Sequence, residues 1–346
     1  MKKVGLLLSE DAHHLDHLAP LCCLLNIALA TNCPIIFKQG KTFYPKLHIF
    51  IKEKIELASF LVENFDTLIS SIAKPLINLF LFPHVDLTGK TLTTLWTPHG
   101  HSDKGQSAPF FQALKDEDGL LYYGPNMLNV LKSKLDSLEE KKLFSLGNYR
   151  KDYFEKHAPF YKRLLTKTFS LQKTPKHTLL YAPTWKDSEN SSSLENVLTQ
   201  LVHSLPKTLH LIIKLHPHSL KKTSPKVALA IAHARALKNI TLIENIPTIL
   251  PILSHVDGLI GDMSSIGYDF LSFKKPMFFL PNASSNSPLF KCGYSIFPEN
   301  YSSIFSIIER NMQPNPDMEK EKQILYKQVF ASKPSINTLN WDTLPC

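Results

Sequence analysis

Glycine is scarce in this chain, 12 residues in 346, about half the usual ~7% share. That scarcity excludes collagen-like and flexible-linker architectures, and it argues against loops built on repeated glycines. The dinucleotide fingerprint GxGxxG is absent, as are HExxH and GxSxG. Gly40-Lys41-Thr42 and Gly89-Lys90-Thr91 resemble the end of a P-loop, but the glycine required five residues earlier is replaced by Ile35 and His84. Cysteine is sparse too: Cys22, Cys23, Cys33, Cys292 and Cys346 are odd in number and show no CxxC spacing. A disulfide framework or a four-cysteine zinc site is therefore not expected, and a reducing compartment is. Long apolar runs are missing. The longest uncharged stretch, Leu18 to Phe37, is interrupted by Pro20, Asn26, Asn32 and Pro34, whereas a membrane span needs ~20 mostly apolar residues. The apolar run near the start, Val4 to Leu8, is shorter than the ~7–15 residues of a signal-peptide core.

What is present is an ordinary globular composition, 43% hydrophobic and 20% charged, which excludes a disordered chain. At ~100–200 residues per domain, the length suggests two domains. Lys and Arg number 39 against 30 Asp and Glu, giving +9. Such a balance favours anionic partners: nucleotides, nucleic acid or an acidic membrane face. The 15 histidines are the other excess.

Short apolar strands alternate with helical patterns. The strands are expected at Lys3–Leu8, Pro34–Phe37, Thr91–Trp96, Gly119–Tyr123 and Lys142–Leu146, and then at Thr178–Ala182, His210–Leu215, Asn239–Ile243, Gly258–Gly261 and Pro276–Leu280. Several are continuous apolar runs, as in parallel strands covered on both faces. Helical patterns lie between them, for example Pro125–Ser137, Leu194–Leu205, Pro225–Leu237 and Ser264–Phe273. The pattern predicts an α/β chain of right-handed βαβ units forming two Rossmann-like domains that face a cleft, with C-terminal helices. A long helix, Arg150–Ser170, precedes a polar break at Leu171–His177. The expected domains are therefore 1–170 and 176–346. The amphipathic stretch Ile49–Phe60 reads as a core-packed helix, with membrane contact as the alternative.

Four segments carry candidate chemistry, each just after an expected strand. Pro98-His99-Gly100-His101-Ser102-Asp103-Lys104 places a histidine able to accept a proton near neutral pH beside a lysine able to neutralise phosphate. Tyr181-Ala182-Pro183-Thr184-Trp185 offers a hydroxyl donor and an aromatic wall, although such tryptophans often serve packing. Lys214-Leu215-His216-Pro217 delivers a cation and an imidazole two residues apart on one strand face. Asp262-Met263-Ser264-Ser265, followed by Asp269, opens a helix with serines, which cap helices and also suit phosphate. His99-Gly100-His101 and His216-Pro217-His218 are possible zinc pairs, but no cysteine or carboxylate cluster completes a site. No metal and no cofactor are expected. Taken together, the segments have the layout of a nucleotide-diphosphate transferase with its donor in the C-terminal half.

These segments resemble the CDP-glycerol glycerophosphotransferases, the teichoic-acid primase and polymerase enzymes of GT-B fold. The family's His-Gly-x-x-x-Lys is matched by His99-Gly100 and Lys104, and its Tyr-Ala-Pro-Thr-Trp by Tyr181 to Trp185. Its Arg-x-His-Pro appears as Lys214-Leu215-His216-Pro217, where lysine forgoes the bidentate contact of arginine. Its Asp-Tyr-Ser-Ser appears as Asp262-Met263-Ser264-Ser265, followed by Asp269, and its closing Lys-Pro as Lys275-Pro276. The resemblance implies transfer of an alditol phosphate from a CDP-activated donor, CDP-glycerol or CDP-ribitol, to an acceptor hydroxyl in cell-envelope glycopolymer synthesis, with release of CMP. In it His99 is the general base. His216, Ser264 and Ser265 hold the diphosphate, and Asp269 binds donor hydroxyls. Lys104, Thr184, Trp185, Lys214, Pro217 and Asp262 complete donor binding. The implied acceptor is a lipid-linked or polysaccharide chain, and the implied place is the cytoplasm, with attachment at the inner membrane face left open. Two alternatives stand beside it: a GT-B sugar transferase or nucleotide-sugar epimerase, and a non-catalytic anion binder. Nucleic acid is not an expected partner, because the basic residues form no aromatic-interleaved stripe.

Overall fold

The computed structural model describes residues 3–9, 11–101, 103, 108–136, 138–169, 175–185, 192–221, 223–281 and 287–330. They form two compact units. The first holds the described residues up to His101, those from 108 to His157, and Lys327 to Phe330; the second holds Asp103 and the described residues from Ala158 to Tyr326.

The first unit contains β1 (Val4–Leu7), β2 (Ala28–Thr31), β3 (Ile49–Ile51), β4 (Thr67–Ser70), β5 (Thr93–Trp96), β6 (Gly119–Tyr122) and β7 (Lys142–Ser145). They pair in the order β3-β2-β1-β4-β5-β6-β7, and every pairing is parallel. The second unit contains β8 (His177–Ala182), β9 (Leu209–Ile213), β10 (Ile240–Leu242), β11 (Gly258–Gly261), β12 (Met277–Phe279) and β13 (Tyr294–Ser295). Their order, β10-β9-β8-β11-β12-β13, is again parallel throughout. Both orders reverse direction at one point, between β1 and β4 and between β8 and β11. In sheets of this kind the carboxyl ends at that reversal form the ligand crevice.

Burial explains why short apolar runs suffice as strands. All four residues of β1, β4, β5 and β11 are buried. In the second unit Leu179, Tyr181, Leu211, Ile213, Ile260 and Phe278 pack against Val197 and Leu201 of the helix Leu194–Ser204. In the first, Leu7, Ala30 and Leu68 pack against Leu57 and Leu61 of the helix Lys54–Asn64 and Ile77 and Leu81 of the helix Lys74–Thr88. Each such fully buried side chain contributes ~1.5–3 kcal/mol.

Several expectations are corrected. Pro34–Phe37 is not a strand but the first turn of the helix Pro34–Phe43. Pro34 sits where a helix tolerates a missing N–H, and Ile36 is buried while Ile35 is 60% exposed, a helical rather than a strand pattern. The strand lies upstream, as β2. Ile49–Phe60 divides into β3 and the helix Lys54–Asn64. The single helix expected over Arg150–Ser170 is two, Tyr149–Lys156 and Ala158–Thr168. Pro159 cannot donate into a continuous ladder, so the chain breaks at His157.

That break also moves the first unit's edge from the expected 170. The helix Ala158–Thr168 packs on the helix Leu250–His255, and Phe169 stacks on His255 with centroids 5.0 Å apart. Ala158–Phe169 therefore groups with the second sheet; residues 171–174 of the expected boundary lie outside the described residues. Toward the other end, Lys327–Phe330 groups with the first unit, where Phe330 meets Tyr123 edge-on at 5.9 Å.

Candidate functional site

In the first unit the site is built on strand ends at the reversal. His99 follows β5, after buried Thr97 and Pro98. Gly100 has φ 146°, a conformation that favours glycine, which accounts for the His-Gly pair. The His99 ring lies face to face on His14, with centroids 3.7 Å and planes 19° apart. His14 comes from the short turn after β1, and its Nδ1 lies 3.2 Å from the Ser71 hydroxyl just beyond β4. His13 meets His14 edge-on at 4.4 Å. His99 is exposed, while the protein packed about its ring, followed by the charge of His13, pushes its pKa down to about 4. It is thus a neutral imidazole at pH 7, with a lone pair to accept a proton.

A buried polar network supports this cluster. His17, on the helix Leu15–Leu25, has Nδ1 2.9 Å from the Tyr123 hydroxyl, and Tyr149 donates to the His17 carbonyl at 3.0 Å. Arg150 pairs with Asp16 and donates from Nε to the Asp16 carbonyl at 3.1 Å. Tyr44 donates to Asp16 Oδ1 at 3.2 Å. Burial, then the Arg150 charge, keeps the pKa of His17 well below the usual range. Sequence reasoning missed His13, His14 and His17. Their signal was the run Ala12-His13-His14-Leu15-Asp16-His17 directly after the first strand, on a strand end that the sheet order makes part of the crevice.

In the second unit, three neighbouring strands, β9, β8 and β11, bring their carboxyl ends together. Trp185 leaves the end of β8, 42% exposed. Its ring lies 6.2 Å from His216 and 5.3 Å from His218, and the two histidines stack at 5.1 Å. The backbone N–H of His218 donates to His216 Nδ1 at 3.2 Å. A nitrogen that accepts is unprotonated in the neutral ring, so Nε2 carries the hydrogen and is a donor suited to phosphate oxygen. Pro217 opens the short helix after it. The Lys214 ammonium donates to the Ile246 carbonyl at 2.6 Å, tying the end of β9 to the loop after β10.

Asp262 is 1% exposed. It accepts from the Thr184 N–H at 2.8 Å and from the Ser193 N–H and hydroxyl at 2.9 and 3.0 Å. It shapes the loop after β8 rather than standing open to a ligand. Ser264 occupies the N-cap of the helix Ser265–Phe270, but its side chain makes no capping bond. Both Ser264 and Ser265 are partly accessible, whereas Asp269 is 7% exposed. A Cβ on Gly267 would come within 2.9 Å of Leu289 Cδ1, so glycine is what lets this helix pack closely. Tyr268 and Ser287 both donate to Asp103. Lys275 donates to the carbonyls of Ser254 and Val256 at 2.7 and 2.6 Å, capping the helix Leu250–His255. Lys104 lies outside the described residues.

Within the second unit the fold therefore gathers Thr184, Trp185, Lys214, His216, Pro217, Asp262, Ser264 and Ser265 on adjacent strand ends. His99 belongs to the first unit's own cluster.

Comparison with known proteins identifies the family and the fold. Residues 113–286 match the family described as CDP-Glycerol:Poly(glycerophosphate) glycerophosphotransferase. The match takes in the candidates from Thr184 to Asp269 and begins after His99 and Lys104. A teichoic acid glycerol-phosphate primase of Bacillus subtilis (strain 168) is 26% identical over 175 residues, 49% of this chain and 41% of that protein. The chain thus spans less than half the length of that relative. Among solved structures, the wall teichoic acid polymerase TagF aligns with TM-score 0.61 at 16% identity, over 95% of this chain and 85% of that one. The S. aureus MnaA–UDP structure aligns with TM-score 0.62 at 12% identity, over 98% and 94%. A UDP-GlcNAc 2-epimerase from Neisseria meningitidis bound to UDP-GlcNAc aligns with TM-score 0.59 at 13% identity, over 94% and 99%. At these identities the structures establish the fold, two Rossmann-like units of GT-B type.

Proposed function

The chain belongs to the CDP-glycerol:poly(glycerophosphate) glycerophosphotransferase family, and on that premise we propose that it transfers glycerol phosphate from CDP-glycerol to an acceptor hydroxyl of a cell-envelope glycopolymer. The acceptor oxygen bonds to the β-phosphorus of the donor. The bond from that phosphorus to the bridging oxygen breaks, and CMP leaves. His99 takes the acceptor proton. The observation that carries the reading is the His216 tautomer. With Nδ1 occupied by the His218 N–H, Nε2 carries a fixed hydrogen for the diphosphate. The Ser264 and Ser265 hydroxyls lie on the next strand end but one and share that task. Positioning and charge stabilisation of this kind carry most of phosphoryl transfer. Trp185 walls the donor, Thr184 and Lys214 line it, and Asp262 shapes that wall through its bonds to Thr184 and Ser193. Asp269 and Lys104 complete the donor set by the family pattern. No resident cofactor is part of the proposal.

The acceptor is proposed to be lipid-linked and met at the inner membrane face. Among the described residues no helix is long and apolar enough to cross a membrane. Leu76, Leu79, Phe82 and Leu87, however, stand 61–83% exposed along the helix Lys74–Thr88, which supports contact at a lipid surface.

The test is a thermal-shift panel of CDP-glycerol, CDP-ribitol, CDP, CMP and UDP-sugars, since a ligand of the native state raises Tm by mass action. CDP-glycerol must stabilise the protein and turn over to CMP. Stabilisation by a UDP-sugar alone would replace this reading with a sugar transferase or epimerase.

A further inference from the structure

We propose that His14 is a positioning residue for His99: stacked on it face to face, it fixes the plane of the His99 ring and shields one face from water. The stack is close and nearly parallel, 3.7 Å and 19°. His14 is itself held, because its Nδ1 lies 3.2 Å from the Ser71 hydroxyl and Ser71 follows directly on the buried strand β4. The next helix is anchored through His17 to Tyr123 and through Asp16 to Arg150. The backbone of His99 is held by β5, and its ring by one imidazole. A flat ring is what the place needs, because an aliphatic side chain would cover His99 without setting its plane.

The charged and titratable groups around the pair are His13 beside His14, Asp11 on the same loop, His17 on the following helix and Arg150 behind it. His13 opposes a positive charge on His99, and Asp11 favours one. The His14 ring covers one face of His99, and taking that face out of water disfavours the charged form.

The catalytic meaning of this arrangement rests on His99 being the base proposed above, but the arrangement itself is read without any substrate. The experiment follows the His99 Cε1–H resonance by proton–carbon NMR in the full chain, assigned by its loss in His99→Gln. In the wild type it lies upfield, as a stacked ring must, and titrates well below 6.5. In His14→Ala it moves downfield, and its midpoint rises by at least one pH unit. In His14→Phe, which keeps a flat ring, the midpoint stays within about half a unit of wild type. An unchanged midpoint in His14→Ala overturns the proposal, and so does a His14→Phe that behaves like alanine. Should His14→Ala not fold, Ser71→Ala takes its arm, since it loosens His14 but leaves both rings. It must move the same resonance in the same direction, and no movement overturns the proposal. Where CDP-glycerol turns over, His14→Ala lowers kcat ~10–100-fold, as misplacement of a catalytic group does, with donor KM within twofold. His14→Phe restores most of the rate. A failed turnover assay with an intact NMR result sinks the proposed reaction and leaves the positioning role standing.

Discussion

The two units share one strand order and use it differently. At its reversal the first unit places a group of imidazoles, with His99 held low by burial and His13 and His17 kept neutral by burial and Arg150. At the same point the second unit places hydroxyls, a tryptophan and an imidazole whose tautomer is fixed by a backbone amide. In the proposed reaction one crevice receives a proton and the other donates hydrogen bonds to an anion. The difference teaches that a single architecture supplies only the location. The chemistry comes from which side chains stand at the strand ends.

Removing the proposed proton acceptor breaks this contrast most severely. His99→Ala is expected to lower kcat ~10²–10⁴-fold, the usual worth of a general base, with KM for CDP-glycerol within about twofold. The pH profile adds a sharper mark. A base must be neutral, and an ordinary histidine loses half its activity near 6.5. Because the pKa of His99 is pushed down to about 4, the wild-type kcat/KM should hold well below pH 6. An acid limb centred at 6.5 or above would show that another group is the base.

The matching change in the second unit is His216→Ala. Loss of one fixed donor to developing charge costs ~10²–10³-fold in kcat. His216→Gln keeps an N–H donor and should recover part of it. Equal rates for alanine and glutamine would mean that the Nε2 hydrogen does not touch the reacting phosphate. Unlike His99, His216 should leave the acid limb in place, and that separates proton transfer from charge stabilisation.

The supports of the two crevices differ in the same way. Asp16 and Arg150 form a pair buried to within 4–8% exposure, and breaking one partner of such a pair costs about 3–5 kcal/mol. Asp16→Ala should therefore lower stability by that amount, read by urea denaturation, without changing donor affinity. Asp262 accepts three hydrogen bonds inside the second unit. Its loss should cost about 1.5–3 kcal/mol and also raise donor KM, because the Trp185 loop loses its anchor. Donor affinity equally sensitive to both variants would dissolve the distinction.

The second unit was the more legible in sequence. Its β9 and β11 are fully buried and its β8 is buried from Thr178 on, so they read as apolar runs, and Pro183 to Trp185 and Asp262 to Ser265 follow them directly. The first unit was harder. Ala28–Thr31 is too short to stand out beside Leu18–Leu25, and Pro34–Phe37 is apolar enough to pass for the strand that actually precedes it. Periodicity cannot separate such short runs. The role of Asp262 was hidden for another reason. Its partners, the amides of Thr184 and Ser193, lie 78 and 69 residues away, and no local pattern announces a bond to backbone. His14 was hidden likewise, since its stack on His99 joins positions 85 residues apart and appears only when β1, β4 and β5 are placed side by side.

The last predicted effect lies at the other end of the first sheet. Glu117 precedes β6 and is 3% exposed. One carboxylate oxygen accepts from the Lys74 N–H at 2.6 Å. Burial outweighs that bond and raises its pKa from 4.5 to about 7. The folded state therefore binds a proton that the unfolded chain releases between pH 7 and 4.5. Above 7 the folded state carries a buried charge at a cost of up to ~3 kcal/mol, at ~1.36 kcal/mol per pH unit of displacement. That cost is relieved as pH falls toward 4.5. His99 works in the opposite sense, for its folded pKa lies below the ordinary 6.5, and the stability tied to its neutral form is lost as pH falls from 6.5 toward 4. The two ends of one sheet thus oppose each other across the same window. Glu117→Gln removes one side, so it should raise Tm at pH 8 by several degrees and leave it nearly unchanged at pH 5, measured by calorimetry. In the double variant with His99→Gln, the remaining acid-side loss should shrink as well. Equal gains at both pH values would mean that Glu117 is ionised in the folded protein throughout, and the contrast between the two ends of the sheet would fall with it.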